Sequence, residues 1–430
     1  MNTRKINVTL FAIPLCFTLL LPNIVLALPF GIYEPRSLAM GGAGVASASS
    51  VNAVFYNPAI LSTYREYKEK GKNEAFSFPV LSVRASRAVE TLADVSDVDY
   101  ESDITNSFNT YNADRTPQNA QAALDNISSL YSTLGQVANN VFMLDAIASL
   151  VVGVPSKYQG GAFFITHRGV GDGQLSIPAS DLELINDYQE ALQYIATSGT
   201  EGVAHPELLD GGGNLINPSA SITSEANARA VVISELGIGL SKQINILGSN
   251  FSFGLTPKTV QVTTYDYHQT LTSSTQDKEG TKDDNWQLNF DFGVLKKITA
   301  QWRLGLVVKN LIERSYPTST GQDVTIKPQW RFGVAHITPL ITYTMDLDLQ
   351  ANDGVYPGNA TQFLLTGIEI THGILRYRLG YRDTIAHKGP KEDGVFSAGL
   401  GLNIKPVYLD LAYSENHQQR AASLMFGFNF

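Results

Sequence analysis

The chain contains one cysteine, Cys16, and it lies in a stretch the sequence marks for removal. Arg4 and Lys5 precede an apolar run from Val8 to Leu26, broken by Pro14, Pro22 and Asn23. Val25-Leu26-Ala27 ends the run on a small residue, the pattern of a secretory signal, so residues 1–27 read as a signal peptide. Leu15 stands where lipid attachment to Cys16 would need a small residue. From residue 28 onward there is no cysteine, which excludes disulfides and cysteine-based zinc or nucleophile chemistry and suits an oxidising compartment.

Other absences narrow the field. The 7 histidines are scattered, with no H-x-x-x-H or HExxH spacing for a metal. There is no basic excess: the net charge of −9 argues against nucleic acid, which needs a positive footprint. Nor does any later window offer the roughly 18 uninterrupted apolar residues of a spanning helix. The longest candidate, Val141 to Pro155, is short and carries Asp145. With 19 Tyr, 20 Phe and 36 Gly, a large soluble β-protein and a membrane barrel remain.

The carboxy-terminal end favours the barrel. Ala422, Leu424, Phe426, Phe428 and Phe430 alternate with Ala421, Ser423, Met425, Gly427 and Asn429. A period of two with one apolar face is a strand between an oily and a more polar side, and the length suits a tilted membrane strand of roughly 9–11 residues. The same alternation recurs backwards through Val407–Tyr413, Phe396–Ile404, Leu375–Tyr381 and Ile341–Leu349, with further strands beginning near Trp286, Trp302, Trp330 and Phe363. Short links near 241–249, 296–301, 337–341, 371–375 and 403–407 alternate with long polar ones at 266–284, 313–328, 351–361, 383–394 and 414–420, as periplasmic turns and external loops do. Ten strands count back to 228–240, and Gly161–His167, Leu150–Val154 and Phe76–Arg84 are earlier candidates. The fold expected is all-β: a transmembrane antiparallel β-barrel of about 14 strands over residues 73–430.

Within that frame the pleat assigns directions. Asp291, Arg303, Arg331, Asp346, Asp348, Glu369, Arg376, Arg378 and Arg382 point inward, because a charge facing lipid near the midplane costs several kcal/mol. Opposite signs on neighbouring strands suit either a wet lumen or a ladder that anchors something inside it. Trp286, Trp302 and Trp330 at strand starts, with Phe430 at the terminus, fit an interfacial aromatic girdle. Two amphipathic stretches interrupt the barrel. One, near 116–149, places Leu124, Ile127, Tyr131, Leu134, Val137, Val141 and Phe142 at helical spacing after Pro117. The other, near 180–197, follows Ser180 as a possible cap. Strand parity puts both on the external side.

Residues 28–72 do not alternate. They contain Arg36-Ser37-Leu38-Ala39-Met40-Gly41-Gly42-Ala43-Gly44 and Asn52-Ala53-Val54-Phe55-Tyr56-Asn57-Pro58-Ala59-Ile60-Leu61. Asn57 before Pro58 is biased away from the α conformation. Gly41, Gly42 and Gly44 lack the strand, helix and acidic residue of a dinucleotide fingerprint.

This pair of motifs resembles the start of FadL-like outer-membrane proteins, with Asn57, Pro58 and Ala59 at the Asn-Pro-Ala element. The resemblance implies that the segment is a hatch inside a barrel of fourteen strands. With the helical insertion, the layout is most similar to the exported conjugal-transfer TraF-type proteins, distinct from the thioredoxin-like ones. Two functions follow from it: a passive channel for hydrophobic small molecules, or a plugged barrel in a conjugal-transfer or secretion apparatus of the envelope. An outer-membrane enzyme is a third class, with His167 and His336 as candidate bases, but neither comes with a recognisable serine and acidic partner. The expected partners are outer-membrane lipid, the assembly machinery through the last strand, and a hydrophobic ligand or envelope-apparatus proteins. No cofactor or metal is expected.

Overall fold

The computed structural model describes residues 28–49, 51–63, 75–89, 99–138, 141–154, 158–198, 205–270, 277–282, 285–319, 323–352, 354–355, 360–387 and 392–429. Residues 1–27, read above as a signal peptide, and Phe430 lie outside the described residues.

Fourteen strands pair antiparallel into one closed ring. They are β1 (Ala75–Ser86), β2 (Val141–Val154), β3 (Gln159–Ser176), β4 (Glu225–Ile246), β5 (Ser249–Thr270), β6 (Gln287–Lys297), β7 (Trp302–Lys309), β8 (Gln329–Ile337), β9 (Ile341–Asp348), β10 (Thr361–His372), β11 (Leu375–His387), β12 (Val395–Ile404), β13 (Val407–Glu415) and β14 (Gln419–Asn429). Closure comes from β1 pairing with β14, for example Val83 with Ala422. The ring itself has no open edge, and the even count brings both ends of the strand ladder to one side; a further strand, Asp277–Lys282, pairs with β5 beyond the ring. Among the described residues no helix is long and apolar enough to cross a membrane.

The pleat decides what faces where. In β3, Phe164, Thr166, Arg168 and Val170 are buried while Phe163, Ile165 and His167 are exposed. Outside, Leu236, Ile238, Leu240, Leu379, Leu400 and Leu411 are among a wide band of exposed aliphatic side chains. In water such a band would be a severe liability; against hydrocarbon it is the stable arrangement.

Links at one end are short, as between β4 and β5, where Leu247 and Gly248 both take positive φ (49° and 78°). That pair of angles is the turn that matches the strand twist of a two-residue hairpin. Longer links gather at the other end. The β1–β2 link carries helices α3 (Tyr100–Ala113) and α4 (Pro117–Val137), and the β3–β4 link carries α5 (Ala179–Ser198); α1 (Pro35–Ala39) and α2 (Ala53–Tyr56) lie in the amino-terminal segment. A two-stranded ribbon, Arg314–Tyr316 with Val324–Ile326, sits in the β7–β8 link.

Four sequence expectations change. The first inserted helix ends at Val137, and Val141 and Phe142, placed on it by spacing, start β2. Strand β2 is apolar on both faces in places, with Ile147 and Val151 inside and Leu144 and Val152 outside, so its period-two signal is weak. From β4 to the end there are eleven strands, not ten. The link at 414–420 shrinks to residues 416–418, because Tyr413–Glu415 and Gln419–Arg420 belong to strands and Asn416 closes the turn to Gln419. Ser180, expected as a cap, lies within α5.

Candidate functional site in the barrel lumen

The amino-terminal segment lies inside this ring. Helix α1 (Pro35–Ala39) packs against β11–β14; α2 (Ala53–Tyr56) leads into a 3-10 turn (Pro58–Ser62) against β3–β6. Gly41 (φ +72°) and Gly42 (φ +95°) turn the chain sharply after α1, a backbone conformation that costs glycine nothing. Gly44 lies against the ring of Tyr56.

Glycines of the wall make that fit possible. A Cβ on Gly380 would collide with the Gly41 nitrogen, and one on Gly367 would stand 2.5 Å from the Met40 Cβ. Across the barrel, a Cβ on Gly293 would strike the Asn57 side chain. Segment and wall meet backbone to backbone, closer than side chains allow.

Asn57, Pro58 and Ala59 form a fixed corner. Asn57 is extended (φ −153°, ψ 104°) before Pro58, as a residue before proline prefers. Its Nδ2 donates to the Val45 carbonyl (3.0 Å) and to the Val294 carbonyl of β6 (3.1 Å), and its Oδ1 accepts from the Ala59 N–H (3.1 Å). One buried amide ties two parts of the segment to the wall.

Charges complete the anchoring. Arg36 of α1 makes a two-point pair with Glu369 of β10 (2.9 and 3.1 Å), and Glu369 also accepts from Arg378 (2.7 Å), which reaches Asp410 (2.5 Å). The N–H groups of Gly44 and Val45 both donate to Asp346 Oδ2 (2.7 and 2.9 Å), a small backbone nest for an anion. Ser47 Oγ meets Thr344 Oγ1 at 2.9 Å. Arg331 pairs with Asp348 (2.6 Å) and lies over the Phe30 ring (4.1 Å). Asp291 meets Lys258 at 3.0 Å, and Lys258 also pairs with Glu235 at 2.8 Å. Arg382 is buried, bonded to Gln419 and over Phe363. Arg303 and Arg376 share the inward parity but are only half-buried, towards the short-turn end.

Sequence reasoning missed several members of this network. Asp145 on β2 holds Arg84 of β1 (3.1 Å) and Arg168 of β3 (2.9 Å), and Arg168 donates to the Pro29 carbonyl (2.8 Å). Lys258, Glu235 and Lys309, which donates to the Phe55 carbonyl (3.2 Å), were equally legible: each sits at an inward parity position of its strand.

Towards the long-loop end the lumen turns apolar. Val170, Val231, Ile233, Val260 and Val262 of β3–β5 cluster with Tyr316, Val324 and Ile326 of the ribbon, and with Val355. The side chain of Leu28 belongs to this cluster and is 4 % exposed. Its carbonyl accepts from Gln329. Beside it lies a void of about 20 Å³ bordered by Tyr33, Glu235 and Lys258, the size of a single water site. Among the described residues, segment and wall fill this part of the lumen.

Over the mouth, α3, α4 and α5 share a second core including Phe108, Ile127, Leu134, Ile185 and Leu192. Tyr188 donates to the Ile216 carbonyl (2.7 Å), and burial pushes its pKa up to about 12. His205 is held by Glu207 (2.9 Å), which raises the imidazole pKa, and Glu207 in turn titrates below the usual carboxylate range.

Trp286, Trp302 and Trp330 are all exposed on the outer face. Trp286 and Trp330 stand at the long-loop ends of β6 and β8, and Trp302 at the short-turn end of β7. Trp302 is 4.8 Å from the His336 ring, which is 6.4 Å from Tyr343. His167 also faces outward, with Nδ1 2.8 Å from Ser234 Oγ. That supplies the serine the sequence did not reveal, yet among the described residues no carboxylate is bonded to this histidine.

Comparison with known proteins bears on the fold. The chain is similar to the Ralstonia pickettii toluene transporter TbuX, with a TM-score of 0.50 and 11 % identity over 94 % of this chain and 100 % of that one. It is also similar to the Pseudomonas putida toluene transporter TodX, with a TM-score of 0.44 and 11 % identity over 94 % and 99 %. The architecture is the FadL-like barrel, and both neighbours are described as transporters. No curated protein matches the chain in sequence. Residues 54–348 match the family described as "F plasmid transfer operon, TraF, protein", and the chain belongs to that family.

Proposed function

We propose that the protein is an outer-membrane channel for small hydrophobic molecules, exported in a Gram-negative bacterium through its signal peptide and closed here by its amino-terminal segment. The observation that carries this reading is the apolar chamber at the long-loop end of the lumen, occupied by Leu28. A chamber of branched aliphatic walls has no role in a wet pore, but it offers a hydrocarbon the same burial that Leu28 receives, about 25 cal/mol per Å² of apolar surface. TbuX and TodX, described as toluene transporters, support the same substrate class. A diffusive route needs no cofactor and no catalytic residue.

The sealed lumen, with a void of only about 20 Å³ beside Leu28, favours a second reading: a plugged barrel serving assembly of an envelope apparatus, in keeping with the transfer-operon family. Mass spectrometry of the barrel in mild detergent separates the two, with toluene as probe. The channel reading expects Leu28→Ala, which vacates the apolar chamber, to raise toluene retention, and Leu28→Asp, which makes it polar, to leave none. It also expects Asn57→Ala with Pro58→Ala, which loosens the plug, to change retention. No retention in any form, with the barrel folded, would favour assembly.

A further inference from the structure

The outer wall has a feature the lumen does not explain. A hollow of about 880 Å³ is sunk into the face formed by β9–β13. Two outward rows of the sheet border it. One runs from Tyr343 through Leu379 to Ala398 and Tyr413, the other from Thr366 through Phe396 to Glu415. Thr366 and Ala398 are the small residues of its floor, while the surrounding rings and Leu379 stand out as rims. Its surface is mostly apolar. Four strand spacings separate β9 from β13, about 19 Å at ~4.8 Å each; with strands tilted by ~40° the row climbs about 12 Å towards the long-loop end, most of the ~15 Å that half a hydrocarbon core spans.

The second row does not end in hydrocarbon. Glu415 is the register partner of Arg420 on β14, and it pairs with Arg420 (3.4 Å) and with Arg87, just past β1. All three lie at the long-loop end and are partly exposed. The nearby Glu392 reaches Arg382 and Gln419 instead. A groove long enough for one extended acyl chain therefore ends on the Glu415 carboxylate, which two guanidinium groups flank and outweigh by one charge at the membrane surface. Guanidinium matches phosphate in charge and in hydrogen-bond geometry.

We propose that this groove holds one acyl chain of a phosphorylated lipid of the outer leaflet, with the headgroup phosphate on Arg87 and Arg420. The site is independent of the lumen and of the channel reading.

The test is native mass spectrometry of the full barrel in mild detergent, titrated with diphosphorylated lipid A and, separately, with zwitterionic phosphatidylcholine. Ala398→Trp fills the floor, and Arg87→Glu with Arg420→Glu reverses the mouth. Ile238→Trp places the same indole on the far wall, and heat-modifiable mobility reports folding of each variant. The expected result is one tightly held lipid A per barrel, weakened at least tenfold by the groove and mouth variants but not by Ile238→Trp. Equal retention in all variants, or equal retention of phosphatidylcholine and lipid A, would overturn the proposal. So would a dimer that Ala398→Trp dissolves, which would make a second copy the occupant.

Discussion

Arg36 and Glu369 lie 333 residues apart in sequence, yet their side chains meet through two parallel hydrogen bonds of 2.9 and 3.1 Å in the lumen. A buried pair of this kind adds little net stability, but removing one partner strands the other. Glu369 also serves Arg378. Glu369→Ala is expected to cost about 3–5 kcal/mol, whereas Arg36→Met combined with Glu369→Met should recover part of that loss. The temperature at which the folded band disappears in heat-modifiable electrophoresis reads both.

Gly380 supplies a steric prediction. Its replacement by valine places side-chain atoms where Gly41 now rests, so the barrel should still form while the segment 28–63 is pushed from the wall. Limited proteolysis should then cut that segment at least tenfold faster than in the unaltered protein. Gly169→Val, on the outer face with nothing within 4 Å of the added carbon, should leave the rate unchanged.

Asn57→Ala removes three hydrogen bonds at once and leaves two carbonyls and one N–H without that partner. At about 1 kcal/mol for each, the segment should loosen by roughly 2–3 kcal/mol, measured as lost hydrogen-exchange protection around Val45 and Ala59. Unchanged protection there would show that the glycine contacts alone hold it.

The helical cap at the long-loop end carries a pH dependence. The His205 pKa is raised in the folded state by its bond to Glu207, so its contribution is fully present below the ordinary value of 6.5 and fades as pH rises through the raised one. The lowered pKa of Glu207 works in the opposite sense: its contribution is present above the ordinary value of 4.5 and fades as pH falls through the lowered one. Hydrogen-exchange protection at residues 207–209, with the intrinsic pH dependence of amide exchange divided out, should therefore be greatest between about pH 5 and 6 and weaker at pH 8. His205→Gln should flatten the fall on the alkaline side.

Much of this was legible in the alternation of residues. From β4 onward most strands bury one face against the lumen and expose the other to hydrocarbon, so each pleat announces itself, and Asp346, Asp348, Glu369 and Arg378 fall inside on parity alone. Strand β2 was blurred because Ala146 and Ala148 outside and Ile147 and Val151 inside leave little contrast between its faces. Helix α3 was missed because only Ile104, Phe108 and Tyr111 are buried in a polar run. Which charge meets which could not be read at all. Arg36 finds Glu369, and Asp346 finds the N–H groups of Gly44 and Val45, only once the ring closes and the segment folds into it.

The absence of cysteine after the signal stretch makes the central claim directly testable. Ser47 and Thr344 face each other at 2.9 Å between segment and wall, so Ser47→Cys with Thr344→Cys installs a reversible lock in an otherwise thiol-free barrel. The measurement is toluene flux through the reconstituted double variant, oxidised and then reduced. A channel gated by its amino-terminal segment should lose at least tenfold of its flux on oxidation and regain it on reduction. Flux that is the same in both states, or absent from both and from the unaltered protein, would contradict the account.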